Sequence, residues 1–172
     1  MKKIEVAIRG DSLLMNSYPM EKIDGFEKMT KEDQAEHVAY RDPEGILFVP
    51  GLNLQRSFVA AATYSKGKGR ASLQKVACAT VAVSPERLSL NRKDYVIDSR
   101  SVVIKSTGGR IVRHRPRVND WSINFFIEFE EKLITEKQVR KIVDDAGGLV
   151  GLLDFRPERK GPFGKFMVTK WE

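Results

Sequence analysis

From Lys3 to Arg9 apolar and polar residues alternate, with Ile4, Val6 and Ile8 on one side and Glu5, Ala7 and Arg9 on the other. That is the period of a strand with one buried face. Between Asp11 and Glu44 the period is lost among polar residues of mixed charge, which predicts a long insertion over about 11–44, longer than compact domains carry without a use. A short apolar run, Gly45 to Val49, stops at Pro50-Gly51. Asn53 then offers an N-cap for Leu54, Phe58 and Ala61 at helical spacing, so a helix is expected over about Leu54–Tyr64. Ser65 to Arg70, with glycine at alternate positions, reads as a flexible basic loop. The small residues and valines of Lys75–Val83 predict a strand, with Cys78 as an inert thiol of the core.

In the second half, Val102-Val103-Ile104 and Arg110-Ile111-Val112 flank Thr107-Gly108-Gly109. A glycine pair there supplies the positive φ of a tight turn, so a basic hairpin should project over about 100–117. Trp121, Ile123, Phe125, Ile127 and Phe129 mark the best-defined strand, on whose polar face Phe126 is the exception. Thr135 and Gln138 form a capping box, with Ile134 and Val139 at the staple positions, ahead of a helix over about Glu136–Ala146. Gly147-Gly148 are expected to end that helix through positive φ. A glycine-rich loop, Gly151 to Gly164, precedes a last strand over Lys165–Trp171. The order predicts an α+β fold, a ferredoxin-like (RRM-like) βαββαβ core with both helices on one face of an antiparallel sheet.

Composition narrows the class. The 172 residues suit one domain that buries its own core. A lone cysteine makes no internal disulfide, the N-terminal residues lead straight into a strand, and no apolar run reaches membrane length, so a cytoplasmic protein in a reducing compartment with no membrane contact is expected. Lys and Arg number 30 against 23 Asp and Glu, a net +7. The first 44 residues hold seven of the bases and ten of the acids, so the excess lies beyond them. Gly45–Pro85 has no acid but includes Arg56, Lys66, Lys68, Arg70 and Lys75. Ser99–Asn119 has none either and carries Arg100, Lys105, Arg110, Arg113, Arg115 and Arg117. Two acid-free basic stretches favour a polyanion, with arginine forks suited to phosphate. Phe126 offers a stacking surface for an unpaired base, or is covered by a neighbouring element.

The segment Tyr40-Arg41-Asp42-Pro43-Glu44-Gly45-Ile46-Leu47-Phe48-Val49-Pro50-Gly51-Leu52-Asn53-Leu54 resembles the region of RAMP-superfamily proteins in which Arg-Asp-Pro, a short strand and Ile-Pro-Gly-Ser-Ser-Leu-Lys-Gly open the first helix. It is most similar to the repeated backbone subunit of type III CRISPR effector complexes. The family's glycine-rich loop between the last helix and last strand has its counterpart in Gly151, Gly161 and Gly164. Leu52 and Asn53 replace the paired serines, and Gln55-Arg56 replaces Lys-Gly. The resemblance implies one RAMP-like domain over 1–172 that holds single-stranded guide RNA and assembles head to tail, alone or with other RAMP-type subunits. In such backbone subunits an aspartate five residues before the Arg of Arg-Asp-Pro is associated with cutting target RNA, and Glu36, beside His37, stands there.

Catalytic signatures are sparse. There is no CxxC, HExxH or Gly-x-Ser-x-Gly, and Ser65–Arg70 lacks the Gly-Lys-Ser/Thr ending of a P-loop. No cofactor or resident metal is expected. A nuclease would need magnesium, for which Asp33, Glu36 and Asp42 are the candidate carboxylates. His114, between Arg113 and Arg115, reads either as a general base or as a phosphate contact. Backbone capture is the favoured binding mechanism: amides of the Gly151–Gly164 loop approach phosphates, aided by Arg156, Arg159, Lys160 and Lys165. The rival readings are a RAMP-like protein of mobile-element or phage origin that caps or blocks such a complex, and an endoribonuclease.

Overall fold

The computed structural model describes residues 1–17 and 23–172, so residues 18–22 of the expected insertion lie outside the described residues. The chain forms an α+β fold around a five-stranded antiparallel sheet. Its longest strands are β1 (Lys2–Leu14) and β6 (Arg110–Phe129), paired from Lys2↔Phe129 to Leu14↔Arg117. Strand β7 (Met167–Trp171) adds to the outer edge of β1, and β3 (Ala82–Ser84) to the other edge of β6. The order β3-β6-β1-β7 is thus filled by β1, β3, β6 and β7 in turn. Helix α2 (Gly51–Ala61) falls between β1 and β3 in the chain, and α4 (Glu136–Asp145) between β6 and β7.

Alternation decides which face is buried. Ile4, Val6 and Ile8 of β1 and Trp121, Ile123, Phe125, Ile127 and Phe129 of β6 are all buried. Leu54, Phe58 and Ala61 of α2 and Val139, Ile142 and Val143 of α4 close over them, with the Phe58 and Phe125 rings 6.1 Å apart. Each such aliphatic or aromatic side chain stabilises the fold by roughly 1.5–3 kcal/mol. The opposite face carries Arg9, Ser122, Asn124 and Phe126, with ion pairs Lys3–Glu128 at 3.1 Å and Lys170–Glu5 at 3.0 Å.

Several local expectations are met. Thr135 and Gln138 close the capping box of α4. Strand β5 (Val96–Val103) pairs with the first part of β6, from Val96↔Arg117 to Val103↔Arg110, and makes the projecting hairpin. At its turn Gly108, at φ 70°, donates its N–H to Ile104 O at 2.8 Å.

Others are corrected. The 75–83 strand is instead a helix, α3 (Gln74–Thr80), followed by the three residues of β3. Valine content argued for a strand, but Ala77 packs into the core as a helical residue, bonded N–H to O with Leu73 and Val81. Cys78 is thereby turned out and exposed. Helix α2 starts at Gly51 after Pro50, three residues earlier than an Asn53 cap would set it. Gly147-Gly148 do not end α4 by positive φ. The chain runs on through one π-helical turn, Ala146–Val150, and the positive φ falls on Gly151 at 79°. Within the expected insertion, β1 continues to Leu14, and α1 (Lys31–His37), capped by Thr30, packs on β6. Strands β2 (Phe48–Pro50) and β4 (Arg87–Ser89) pair separately.

Candidate nucleic-acid interface

The glycine-rich loop is built against the base of the hairpin. Asp154 receives Arg115 Nη1 at 2.5 Å and Asn16 Nδ2 at 3.3 Å, and its N–H donates to Leu14 O at 3.0 Å. Gly164 N–H donates to Ser12 O at 2.8 Å. On the other side the loop is tied to α2: Ser57 Oγ donates to Gly151 O at 2.8 Å, and Leu153 N–H donates to Asn53 Oδ1 at 3.1 Å. Asn53 therefore works as a pin between helix and loop rather than as a cap.

These bonds change the backbone-capture picture. The amides of Gly151, Leu152, Leu153, Asp154, Gly161, Phe163 and Gly164 all donate to acceptors within the protein. The glycines serve close packing: a methyl at Gly161 would overlap the Phe155 carbonyl oxygen, and one at Gly164 that of Leu152. What the loop region offers a phosphate is mainly side-chain charge. Arg56 from α2 and Arg156, Glu158 and Arg159 from the loop line one cleft of about 270 Å³. Arg159, Lys160 and Lys165 are exposed. Arg156 is engaged by Glu158 at 2.9 Å and by Leu153 O at 2.9 Å.

The hairpin arginines divide the same way. Arg113, Arg115 and Arg117 alternate with inward and outward neighbours and so share one face of β6. Arg115 is buried and tied to Asp154. Arg113 and Arg117 have no acidic partner among the described residues; they lie over the rings of Phe26 and Phe163, at 5.6 Å and 5.3 Å from the ring centres. Arg110 is exposed near the tip. Lys66, Lys68 and Arg70 are exposed beyond the C-terminal end of α2, while the glycine-rich loop binds its first half. At 1.5 Å per residue the helix spaces these two basic regions by roughly 16 Å. Phe126 is 38% exposed, with Lys3 Nζ 4.6 Å from its ring centre.

The candidate catalytic groups are dispersed. Glu36, at the end of α1, binds Arg41 through both carboxylate oxygens and accepts the Tyr95 hydroxyl at 2.7 Å. Arg41 in turn donates to Gly45 O and Lys93 O, each at 2.8 Å. Glu36 thus anchors the segment that precedes β2 to the one that precedes β5. His37 is exposed, and His114 Nδ1 is 2.7 Å from Ser99 Oγ across the hairpin. Asp42 closes its own turn by accepting the N–H of Glu44 and Ile46, each at 2.9 Å. Asp33, Glu36 and Asp42 do not converge: among the described residues no three His, Cys, Asp or Glu side chains form a metal-holding group.

The Arg41 guanidinium, outweighing the opposing effect of partial burial and helped by Tyr95, holds the Glu36 carboxyl below its ordinary value of 4.5. Tyr95 is pushed up to about 12, chiefly by burial and then by the carboxylate it faces. A depressed carboxyl contributes stability above its unfolded value and loses that contribution as pH falls through the folded one. Acidification below about pH 4.5 should therefore loosen the segment around Arg41 and Tyr95, read by limited proteolysis, and Glu36→Gln should flatten that pH dependence.

Sequence reading missed the tie between Arg115 and Asp154 and the two aromatic supports. Phenylalanines inside a glycine-rich loop were a usable signal for the latter, since glycine loops that only need flexibility do not need Phe155 and Phe163.

No family model matches the chain, and no curated protein matches it. Among solved structures, a chain of the cryo-EM structure of the Type III-B Cmr-beta bound to cognate target RNA shares its fold, with a TM-score of 0.54 at 12% identity. The match covers 99% of this chain and 59% of the other, so this chain spans under two thirds of that one's length. At the level of the fold, this agrees with the resemblance to RAMP-containing CRISPR effectors carried by the Arg-Asp-Pro and glycine-rich segments. Among the described residues no helix is long and apolar enough to cross a membrane.

Proposed function

We propose that this protein is an RNA-binding, CRISPR-related protein of RAMP type, in which one domain holds single-stranded guide RNA through its phosphates. Units of this kind assemble head to tail along the strand. One observation carries the reading: the hairpin and the glycine-rich loop, distant in sequence, are bonded into one surface on which Arg113, Arg117, Arg159 and Lys160 lack acidic partners among the described residues. The shared fold with a chain of an RNA-bound Type III-B assembly supports it. Binding through phosphate positions a strand without reading its bases, as a guide of arbitrary sequence requires. The engagement of Glu36 by Arg41 and Tyr95 favours binding over cutting, because a clamped carboxylate is not free to hold a metal or activate water.

The test combines affinity with mass. Filter binding of single-stranded RNA should weaken steeply with salt, by about 0.7 in log–log slope for each phosphate neutralised. Light scattering on RNAs of increasing length should show mass rising in steps, since a head-to-tail interface stays open. Salt-independent affinity or no binding would overturn the RNA reading. Salt-dependent binding by a protein that stays monomeric on every RNA would instead favour the capping role.

A further inference from the structure

We propose that Arg113 and Arg117 form a phosphate rail for one extended single strand, with Phe26 and Phe163 as the residues that position them. The inference rests on the RNA-binding reading above and assigns its contact line.

Several cations on this side of the hairpin are neutralised by a carboxylate. Arg100, opposite Arg113 across the strands, is paired with Asp98 at 2.7 Å. Arg115 is paired with Asp154, and Arg156 with Glu158. In each of these pairs a carboxylate within hydrogen-bond distance offsets the guanidinium charge. Arg100 also lies over the Phe163 ring, at 4.8 Å from its centre, but with its charge offset by Asp98. Arg113 and Arg117 have the ring contact without an acidic partner among the described residues. Each lies over an aromatic ring supplied by a distant segment, Phe26 ahead of α1 and Phe163 in the glycine-rich loop. A ring contact restrains the side chain by attraction to its π face but leaves the positive charge uncancelled. Phe163 is itself fixed, being 2% exposed and bonded through its N–H to Phe155 O at 3.1 Å. Arg117 is further oriented by Nε donating to Asn119 Oδ1 at 2.9 Å, which leaves its outer nitrogens available. The ordering entropy of two long side chains is thus largely met before any ligand arrives.

Spacing then selects the ligand. Arg113 and Arg117 are four residues apart on one strand, roughly 13 Å along it, about two nucleotide steps of an extended strand. The phosphate between them would pass over Arg115, already neutralised by Asp154. Along β6 the two uncancelled cations stand in a single file, whereas a duplex presents two phosphate lines across a groove. The fitting partner is one strand held at alternate phosphates.

The experiment measures binding of a fluorescein-labelled oligouridylate to the full chain by anisotropy over a series of potassium chloride concentrations. Arg113→Ala and Arg117→Ala should each weaken binding and make the log–log salt slope shallower by about 0.7. Lys137→Ala, an exposed cation on α4, should leave the slope unchanged. Phe26→Leu keeps the charge and most of the bulk, so it should weaken binding about two- to fivefold with the slope preserved. Phe26→Trp should restore the affinity. A merely structural role for Phe26 would change the urea unfolding midpoint and would not separate affinity from slope. Wild-type slopes in both arginine variants would overturn the rail while leaving the RNA reading intact. Phe26→Leu binding as tightly as wild type would overturn the positioning role, and equal affinity for a duplex would overturn the single-strand assignment. A wild-type chain that binds no oligouridylate at any salt would overturn the RNA reading, and the rail with it.

Discussion

Gly164→Ala should destabilise the protein by on the order of 3–5 kcal/mol, lowering the thermal midpoint by roughly 10 °C for a chain of this size. Two costs combine. Gly164 sits at φ 81°, a conformation that costs an L-residue roughly 1–2 kcal/mol. Its added methyl would also overlap the Leu152 carbonyl oxygen and lie 2.7 Å from the Leu152 amide nitrogen. Neither neighbour can yield easily. Leu152 is fully buried and its N–H donates to Gly164 O at 3.0 Å, while the Gly164 N–H is engaged by Ser12. Gly148→Ala is the matched comparison, with no positive φ and no heavy atom within 4 Å of the added carbon. It should be neutral or slightly stabilising. Urea unfolding of the two variants distinguishes a packing role for the loop glycines, which separates them by several kcal/mol, from a role in flexibility alone, which does not.

What was legible in the chain was whatever local pattern decides. The strand Trp121–Phe129 declares itself because five large apolar side chains recur at period two, and helix α4 because its capping box is complete within four residues. Lys75–Val83 misled because small residues and valines suit either geometry. The outcome there was set by the packing of Ala77 into the core, a tertiary fact that also turned Cys78 outward. For the candidate interface, the acid-free stretches show only where basic residues concentrate along the chain. They could not show which charges survive folding, because Asp154 lies 39 residues from Arg115 and Asp98 precedes its acid-free stretch by a single residue. The glycine-rich loop shows the same limit. Glycine permits close approach, but whether a phosphate or a protein carbonyl approaches is decided by neighbours from elsewhere in the chain, here Ser12, Leu14 and Asn53.

The surviving charge pattern has a consequence for mutagenesis. Replacing Arg113, Arg115 and Arg117 together treats three unlike residues as one patch. The outer two hold uncancelled charge over aromatic rings, while the middle one fastens the loop that carries Phe163. If the proposed RNA interface holds, a triple variant would lose affinity by two routes at once.

Arg115→Ala should accordingly behave as a folding variant, costing about 2–4 kcal/mol in urea unfolding, whereas Arg113→Ala should fall within about 0.5 kcal/mol of wild type. Arg115 is 7% exposed and its guanidinium reaches Asp154 Oδ2 at 2.5 Å. Removing it leaves the carboxylate facing a largely enclosed surface with Asn16 as its remaining side-chain donor. The cost stays below that of a fully buried pair because the Asp154 side chain is 32% exposed and water can reach part of it. Asp154→Ala should cost a similar amount, since it strands a buried guanidinium whose Nε already lacks a partner. The double change Arg115→Leu with Asp154→Leu removes both charges and fills the space with apolar carbon, so it should recover more than 1 kcal/mol relative to the sum of the single changes. Additive losses would mean that the pair does not fasten the loop to the hairpin. Coupled losses, with salt-dependent RNA binding regained by the double variant, would place Arg115 in the scaffold of the interface and leave the phosphate contacts to its neighbours.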